Sequence, residues 1–268
     1  MVTKAGDPAH PIGIDIGGTG IKGAPVDLAA GKFAADRIRL LTPSPATPHT
    51  VAETVNELLD QLDAPGSIGL TLPAVVRNGT VMTAANIDEG WIGTDAVELF
   101  NNATGREVAV VNDADAAGVA EMMFGVGRGH SGVVVMVTLG TGIGSAVFVN
   151  GALVPNTELG HLPLHHGGDA EDWAAESVRE NENLSWKAWA KRLEHYLELV
   201  ERLLWPELII IGGGISNVAD KFLPLIQLRT PIVPAQLRNH AGIIGAAMFA
   251  PVEQRPRRGR TRRTSSGR

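Results

Sequence analysis

The sequence predicts an α/β protein of two domains, each carrying a glycine-rich β-hairpin, and three observations lead to that fold class. The run IGIDIGGTGIKG (12–23) is an apolar strand that leads into a cluster of glycines. The run VTLGTGIGSAVFV (137–149) repeats that arrangement around the same Gly-Thr-Gly-Ile core. The run LIIIGGGIS (208–216) is typical of a buried parallel strand that ends in a glycine turn. Two copies of one hairpin indicate an internal duplication.

The composition is that of an ordinary globular protein with enough apolar residues for two cores. The chain has 268 residues, of which 44% are hydrophobic. It contains no cysteine, which excludes disulfides and thiolate zinc sites. The opening MVTKAGDPAH lacks an apolar segment, and no apolar run approaches about 18 residues, so we expect neither a signal peptide nor a membrane span. A cytoplasmic location is the simplest interpretation.

The charge is distributed unevenly along the chain. The net charge is −6, yet the last sixteen residues contain seven arginines and a single glutamate, so the rest is strongly acidic. Residues 251–268 are rich in Arg, Gly, Thr and Ser, a composition typical of a disordered basic tail. Such a tail could contact nucleic acid, but no folded reading element accompanies it, so we expect no nucleic-acid partner.

The segment after the first glycines is predicted to be a second strand. Pro25 falls where a dinucleotide-binding fold would need a helix, and an interior proline costs a helix about 3 kcal/mol. Gly18, Gly20 and Gly23 do match the G-x-G-x-x-G pattern of such folds. No acidic residue follows about 20 residues later to bind a ribose, and the motif occurs twice. These features argue against an NAD-dependent oxidoreductase.

Helical periodicity appears in three further regions. Residues 50–62 have apolar side chains at helical spacing, with Thr50 as the predicted N-cap and Glu53 as its capping-box partner. A long helix is predicted from residue 186 until Pro206 ends it, and a helix of small residues at 241–250. Between these regions, residues 107–125 read as a strand followed by a helix, with Asp113 at the junction.

Taken together and in this order, the motifs resemble those of the ROK family of sugar kinases, within the hexokinase/actin-like ATPase superfamily with its ribonuclease H-like fold. The motifs that carry the resemblance are DIGGTGIKG (15–23), AANIDEGW (84–91), NDADAA (112–117), LGTGIG (139–144), ELGH (158–161), IIIGGGIS (209–216) and AGIIGAAM (241–248). The resemblance covers residues 11–250. It implies two α/β domains, 11–112 together with a C-terminal helix at about 240–250, and 113–239, separated by a cleft that closes on the sugar.

Several segments, among them LLTPSPATP and PNTELGHL, resemble the polyphosphate glucokinases of this family. That likeness implies phosphorylation of the 6-hydroxyl of glucose, and of mannose in some members, with inorganic polyphosphate or ATP as donor. Typical ROK proteins follow E-x-G-H with a cysteine-rich zinc knuckle, whereas this chain has LPLHHGGDAEDWAAE there, so we expect no structural zinc. We interpret His165 and His166 as plain loop residues.

The two glycine turns are the predicted phosphate sites, because backbone N–H groups free of a Cβ can approach phosphate oxygens. By resemblance, the donor-binding residues are Asp15, Gly17, Gly18, Thr19, Gly20, Lys22, Gly140, Thr141, Gly142, Gly144, Gly213 and Gly214. Asp15 precedes the first turn. A carboxylate beside phosphates is stabilised by a cation between them, so we expect Asp15 to bind Mg²⁺. A basic groove for polyphosphate has Lys22, Lys221, Arg229 and Arg238 as candidates.

Asp113 is the predicted general base, since it ends a buried strand opposite the glycine turns. The competing interpretation of the NDAD segment is helix capping, which we favour for Asp115. The resemblance implies that the sugar hydroxyls are bound by Asn86, Asn112, Asp113, Glu158, His161 and Glu171.

Two alternatives within the family stay open. One is an ATP-dependent kinase for another hexose or an amino sugar, against which the lost zinc motif argues. The other is a non-catalytic sugar sensor. Repressors of this family carry a helix-turn-helix before the first strand, and here that strand is predicted to begin at residue 12. The sequence leaves open whether the protein is a monomer or a homodimer.

Overall fold

The computed structural model describes residues 10–85, 87–164 and 167–252, and its strands form two large mixed sheets and one small hairpin. In chain order the strands are β1 (Ile12–Gly17), β2 (Gly20–Asp27), β3 (Lys32–Phe33), β4 (Ile38–Leu40), β5 (Ile68–Leu72), β6 (Val76–Arg77), β7 (Thr80–Val81), β8 (Val108–Asn112), β9 (Val133–Leu139), β10 (Ile143–Val149), β11 (Ala152–Val154), β12 (Leu208–Gly212) and β13 (Ile232–Pro234). The helices are α1 (Pro48–Leu62), α2 (Ala96–Thr104), α3 (Asp113–Phe124), α4 (Glu171–Ala174), α5 (Glu176–Asn181), α6 (Trp186–Leu204) and α7 (Ala241–Phe249).

The two large sheets have the same internal order. The first is β3-β2-β1-β5-β8, with β4 also paired to β2, and the second is β11-β10-β9-β12-β13. In each, an antiparallel hairpin with a glycine turn (β1-β2 or β9-β10) is followed by two parallel strands. The predicted fold class and the duplicated hairpin are therefore confirmed.

Pro25 lies inside β2, where it costs the sheet no hydrogen bond. The N–H of Val26 donates to the carbonyl of Pro11 on the β1 side, so the nitrogen of Pro25 faces the opposite edge. On that edge β4 pairs only as far as Gly23, and β3 begins to pair at Val26. The proline occupies the gap between two short partner strands, which is a position that a sheet tolerates.

Helix α7 is packed tightly between the first sheet and α3, and three glycines make this possible. A Cβ at Gly13 would lie 1.8 Å from the carbonyl oxygen of Ile243, and one at Gly69 would lie 1.7 Å from that of Ala246. A Cβ at Gly245 would lie 1.8 Å from the carbonyl oxygen of Ala116 in α3. The predicted small-residue helix is confirmed, and it joins the end of the chain to the first sheet.

Three apolar clusters fill the molecule. On the outer face of the first sheet, Ile14 and Leu70 pack with residues of α1 and α2. On the outer face of the second sheet, Val135 and Ile209 pack with residues of α6. Between the sheets, α3 and α7 share a third cluster with the inner faces of both. Polar side chains on the inner faces are thereby directed toward the space between the two sheets.

Two local predictions need correction. Helix α1 begins at Pro48 and is capped by Thr47, not by Thr50. Proline is favoured in the first turn of a helix, where its missing N–H costs no hydrogen bond. The Thr47 hydroxyl accepts a hydrogen bond from the Thr50 N–H, which is the capping contact. The segment after the third glycine turn, Gly214–Lys221, is a 3₁₀ helix interrupted at Val218 instead of a regular α-helix.

Among the described residues, no helix combines the length and apolarity needed to cross a bilayer.

Candidate active site

A cavity of about 530 Å³ lies between the two sheets, at the carboxyl ends of their parallel strands. It is lined by the turns that follow these strands: Gly17, Gly18, Thr19, Pro73, Ala74, Thr83, Ala85, Asn112, Asp113, Thr138, Leu139, Gly140, Thr141, Gly142, Ile143, Gly144, Glu158, His161, Glu171, Gly213 and Gly214. Fourteen of the predicted site residues are in this set. Asn86, His165, His166 and residues 253–268 lie outside the described residues.

The first glycine turn joins β1 to β2 and is held from the neighbouring segment. The Thr42 hydroxyl donates to the carbonyl of Gly17 at 2.5 Å, and the Arg39 guanidinium donates to that of Thr19 at 3.1 Å. Gly20 does not line the cavity, because Arg39 lies over it: a Cβ there would be 2.7 Å from the Arg39 Nε. These bonds engage carbonyls of the turn, and Gly17, Gly18 and Thr19 line the cavity.

The second glycine turn joins β9 to β10 and is held by α5. The backbone N–H of Ser177 donates to the carbonyl of Gly140 at 3.1 Å, and its hydroxyl donates to that of Thr141 at 2.6 Å. Nothing lies within 4 Å of a Cβ placed on Gly18, Gly140 or Gly214, so in each turn one glycine presents bare backbone to open space. Such turns are suited to binding phosphate oxygens.

Asp113 lies at the floor of the cavity, at the first residue of α3, and its Oδ1 accepts from the N–H of Ala114 at 2.8 Å. Burial raises the pKa of its carboxyl to about 7, with further contributions from the charges of Asp15 and Glu158. A carboxyl with a pKa near 7 can hold or release a proton at neutral pH. The predicted strand–helix junction at this residue is confirmed.

Asp15 and Lys22 stand behind the first turn and do not line the cavity. The Asp15 carboxylate accepts from the Thr71 hydroxyl at 3.1 Å and lies 3.5 Å from the Lys22 ammonium. Among the described residues, no group of three or more histidine and carboxylate side chains is arranged to hold a metal ion.

The opposite wall includes His161, Glu158 and Glu171, and Asp169 contacts the His161 ring without lining the cavity. The His161 ring lies 2.7 Å from Asp169 through Nδ1, 3.6 Å from Glu158 through Nε2, and 4.0 Å from Glu171. Burial lowers the pKa of His161, but the hydrogen bond to Asp169 and the charges of the three carboxylates outweigh it, so the net shift is upward. Burial also raises the pKa of Glu158.

Glu171 does two things in this wall. It lines the cavity, and its Oε2 also accepts from the backbone N–H of Ile143 at 3.0 Å. It thus ties this wall to the strand that follows the second glycine turn. The Asn112 side chain also makes two contacts. Its oxygen caps α3 by accepting from the Asp115 N–H, and its amide nitrogen donates to the carbonyl of Ala74 at 3.1 Å.

Asp115 is the member of the NDAD segment that the sequence assigned to capping, and the structure gives that capping contact to Asn112 instead. The carboxylate of Asp115 accepts from the backbone N–H of Asn156 at 2.7 Å. Burial raises its pKa to about 6. The reason for the correction is that the side chain one turn into α3 points inward, toward the loop that carries Asn156.

Sequence reasoning did not identify Thr71, Asp169 or Asn156. Thr71 lies in a segment without a recognisable polar motif, so no local signal marks it, whereas Asn156 lies in the PNTELGHL segment but two residues before the E-x-G-H residues to which a role was assigned. Asp169 lies eleven residues after Glu158, in the stretch where the zinc knuckle would be, and a search for a carboxylate partner of His161 could have found it. Two proposed polyphosphate ligands also lie elsewhere: Arg229 is bonded to Glu201 and Lys221 lies over the Trp186 ring.

The model of the ROK family matches residues 11–172, which include both glycine turns and the E-x-G-H segment. The chain belongs to the ROK family. Among its ROK relatives, the polyphosphate glucokinase of Mycobacterium tuberculosis is 52% identical over 240 residues, covering 89% of this chain and 90% of that protein.

Solved structures of ROK proteins agree with the fold. The inorganic polyphosphate/ATP-glucomannokinase of Arthrobacter sp. strain KM matches with a TM-score of 0.87 and 52% identity, over 90% of this chain and 98% of that one. A ROK family glucokinase from Streptomyces griseus, solved with glucose and AMPPNP, matches with a TM-score of 0.78 at 24% identity, over 90% of this chain and 98% of that one. At that identity the second likeness concerns the fold alone.

Proposed function

We propose that this protein transfers a phosphoryl group from inorganic polyphosphate, and also from ATP, to the 6-hydroxyl of glucose and of mannose. The observation that carries the proposal is the position of Asp113 in one cavity with two glycine turns and a wall of hydrogen-bonding side chains. The two 52% identical relatives, a polyphosphate glucokinase and a polyphosphate/ATP-glucomannokinase, support the choice of donor and sugar.

In the proposed reaction, the Asp113 carboxylate accepts the proton of the sugar 6-hydroxyl as that oxygen bonds to the terminal phosphorus of the donor. The phosphorus–oxygen bond to the rest of the donor breaks, which leaves the sugar 6-phosphate and either ADP or a polyphosphate shortened by one unit. The raised pKa of Asp113, about 7, suits a base that must take up this proton near neutral pH. Positioning and charge neutralisation by the glycine turns supply the remainder of the catalysis.

The sugar is proposed to bind along the wall formed by Glu158, His161 and Glu171, with Asn112 and Asn86 completing the set. Carboxylates make strong bonds to hydroxyl groups, and three of them surround the His161 ring. Because the two glycine turns lie on different sheets, and the proposed sugar residues likewise come from both sides of the cavity, we propose that residues 11–112 with 240–250 and residues 113–239 act as two domains that close on the substrates. Closure would exclude water from the transferred phosphoryl group.

Asp15 suits a role in holding Mg²⁺. Its charge is close enough to Asp113 to contribute to the raised pKa of that residue, although the Lys22 ammonium lies 3.5 Å from it. Mg²⁺ is commonly bound by one or two carboxylates together with phosphate oxygens, so a larger protein ligand set is not required. Bound there, the ion would neutralise charge on the donor phosphates.

The test is a coupled assay that crosses glucose, mannose and N-acetylglucosamine with polyphosphate and ATP. We expect glucose and mannose to be phosphorylated with both donors, and turnover to rise with pH through about 7 as Asp113 loses its proton. The Asp113→Asn variant should lose at least roughly 10²-fold in kcat while still binding glucose. Absence of glucose phosphorylation with either donor would contradict the proposal, and a preference for the amino sugar would favour the alternative kinase.

A further inference from the structure

A row of charged side chains crosses the first sheet from its edge to the candidate active site. Arg39 in β4 is the register partner of Lys22 in β2, Lys22 is the partner of Asp15 in β1, and Asp15 is the partner of Thr71 in β5. Register partners direct their side chains to the same face of a sheet. A Cβ at Gly242 in α7 would lie 3.0 Å from the Asp15 carboxylate, so this face is the inner one.

The two cations of this row exceed the negative charge that faces them. Lys22 lies 3.5 Å from Asp15, but among the described residues no carboxylate lies within 4 Å of the Arg39 guanidinium. Two like charges at directly opposite positions destabilise a sheet. Arg39 has the Thr19 carbonyl as a hydrogen-bond acceptor but no counterion within the described part of the chain, so its charge is left for a bound anion.

Arg39 is also directed at the first glycine turn. One of its N–H groups donates to the carbonyl of Thr19, which lines the cavity, and the guanidinium lies across Gly20, where a Cβ would be 2.7 Å from Nε. A guanidinium has five N–H donors in a planar fork, so most of them stay available beside the turn. Planar forks of this kind match the oxygens of a phosphate group.

The surface beside the second glycine turn has the opposite character. The second glycine turn leads past α5, where Arg179 is bonded to Glu180 at 3.1 Å and the nearby Arg192 is bonded to Glu182 at 2.7 Å. Glu176 adds a further carboxylate on the same short helix. A long polyanion passing that way would meet acidic side chains and cations that are already neutralised.

We propose that Arg39, with Lys22 behind it, forms the binding site for the part of a polyphosphate chain that extends beyond the reacting phosphoryl group, so that the chain leaves the cavity past the first glycine turn. This inference rests on the proposed function. ATP carries three phosphates followed by an uncharged nucleoside, whereas every unit of polyphosphate is charged. A cation outside the cavity therefore binds phosphates of a long chain, but it has little or no effect on the binding of ATP or tripolyphosphate.

The test compares Arg39→Ala, Arg39→Gln and wild type with long-chain polyphosphate, tripolyphosphate and ATP as donors. Arg39→Gln keeps an N–H donor for the Thr19 carbonyl but removes the charge. It therefore distinguishes an effect of the lost charge from an effect of a changed turn conformation. Lys191→Ala, which removes an exposed cation from α6, is the matched control. Thermal denaturation of each variant shows that it is folded.

We expect both Arg39 variants to raise the KM for long-chain polyphosphate at least roughly tenfold, the loss of one charge-assisted contact. The KM values for ATP and tripolyphosphate should rise much less, by the amount that the loosened Thr19 carbonyl costs every donor, and added salt should weaken the use of long chains less than in wild type. An equal rise for all donors, or none for long chains, would overturn the inference. If wild type itself fails to use polyphosphate, the proposed function fails instead.

Discussion

The side-chain amide of Asn156 forms two hydrogen bonds with the backbone of Val76, from a position 80 residues away in the chain. Its Oδ1 accepts from the Val76 N–H and its Nδ2 donates to the Val76 carbonyl, both at 3.0 Å. The backbone N–H of Asn156 donates in turn to the buried carboxylate of Asp115. One asparagine therefore links the segment that leads to Glu158 with β6 of the small hairpin and with α3.

Replacing Asn156 with alanine should loosen this connection. Because two backbone groups of Val76 lose their partners, we expect the free energy of unfolding to fall by about 1–3 kcal/mol. The KM for glucose should rise, since Glu158 follows two residues later and loses its anchor. Urea denaturation and steady-state kinetics measure the two effects. Asn102→Ala, an exposed position in α2, is the control, and equal stability of both variants would contradict the role assigned to Asn156.

Asp115 should make the stability of the protein depend on pH. Burial raises its pKa to about 6 in the folded state, so folding favours the protonated form. The contribution of this protonated carboxyl to the free energy of unfolding is therefore fully present below the ordinary carboxyl pKa near 4. It is lost as the pH rises through about 6.

In the variant Asp115→Asn, the amide oxygen can still accept from the Asn156 N–H, and no charge is buried. We compare the free energy of unfolding of the variant with that of wild type. From pH 4 to pH 8 we expect the difference to change in favour of the variant by on the order of 2 kcal/mol. Denaturation by urea across that pH range measures it, with the exposed Asp60→Asn as control. Parallel pH curves for wild type and Asp115→Asn would show that the prediction is wrong.

Two glycines of the second turn should respond differently to alanine. A Cβ on Gly140 meets nothing within 4 Å and would project into the donor space, so Gly140→Ala should leave the melting temperature unchanged and raise the KM for ATP and polyphosphate. A Cβ on Gly144 would lie 2.5 Å from the Thr138 hydroxyl oxygen and 3.0 Å from the Ala114 Cβ, so Gly144→Ala should lower the melting temperature. Equal melting temperatures for the two variants would contradict this assignment.

Asp169 should set the protonation of His161. Because the hydrogen bond to Asp169 raises the pKa of the ring, Asp169→Asn should lower that pKa and raise the KM for glucose. An NMR titration of the His161 ring protons reports the first effect. Asp172→Asn is the matched control, since the Asp172 carboxylate accepts from the Asp169 backbone instead of the ring. A His161 pKa that is the same in both variants would remove Asp169 from this role.

Local sequence signals were enough to predict most of the elements. The alternation and glycine content of 12–23 and 137–149 predicted both hairpins, and Pro25 by itself excluded a helix after the first turn. These signals succeed because turns, caps and strand periodicity depend on residues a few positions apart. The capping-box spacing of Thr50 and Glu53 points to the wrong threonine, because the helix begins one turn earlier, at Pro48, where Thr47 is the cap.

What the sequence by itself determined is the duplicated hairpin, the strand–helix junction at Asp113 and the presence of polar groups able to bind phosphate and sugar. Only the tertiary structure decided which of them meet. It placed Lys22 and Asp15 behind the cavity instead of in its wall, brought Asp169 to His161, and aligned Arg39 with Lys22. The physical reason is that register and packing join residues far apart in the chain, and close approaches such as α7 on Gly13 fix those distances without leaving a local sequence pattern.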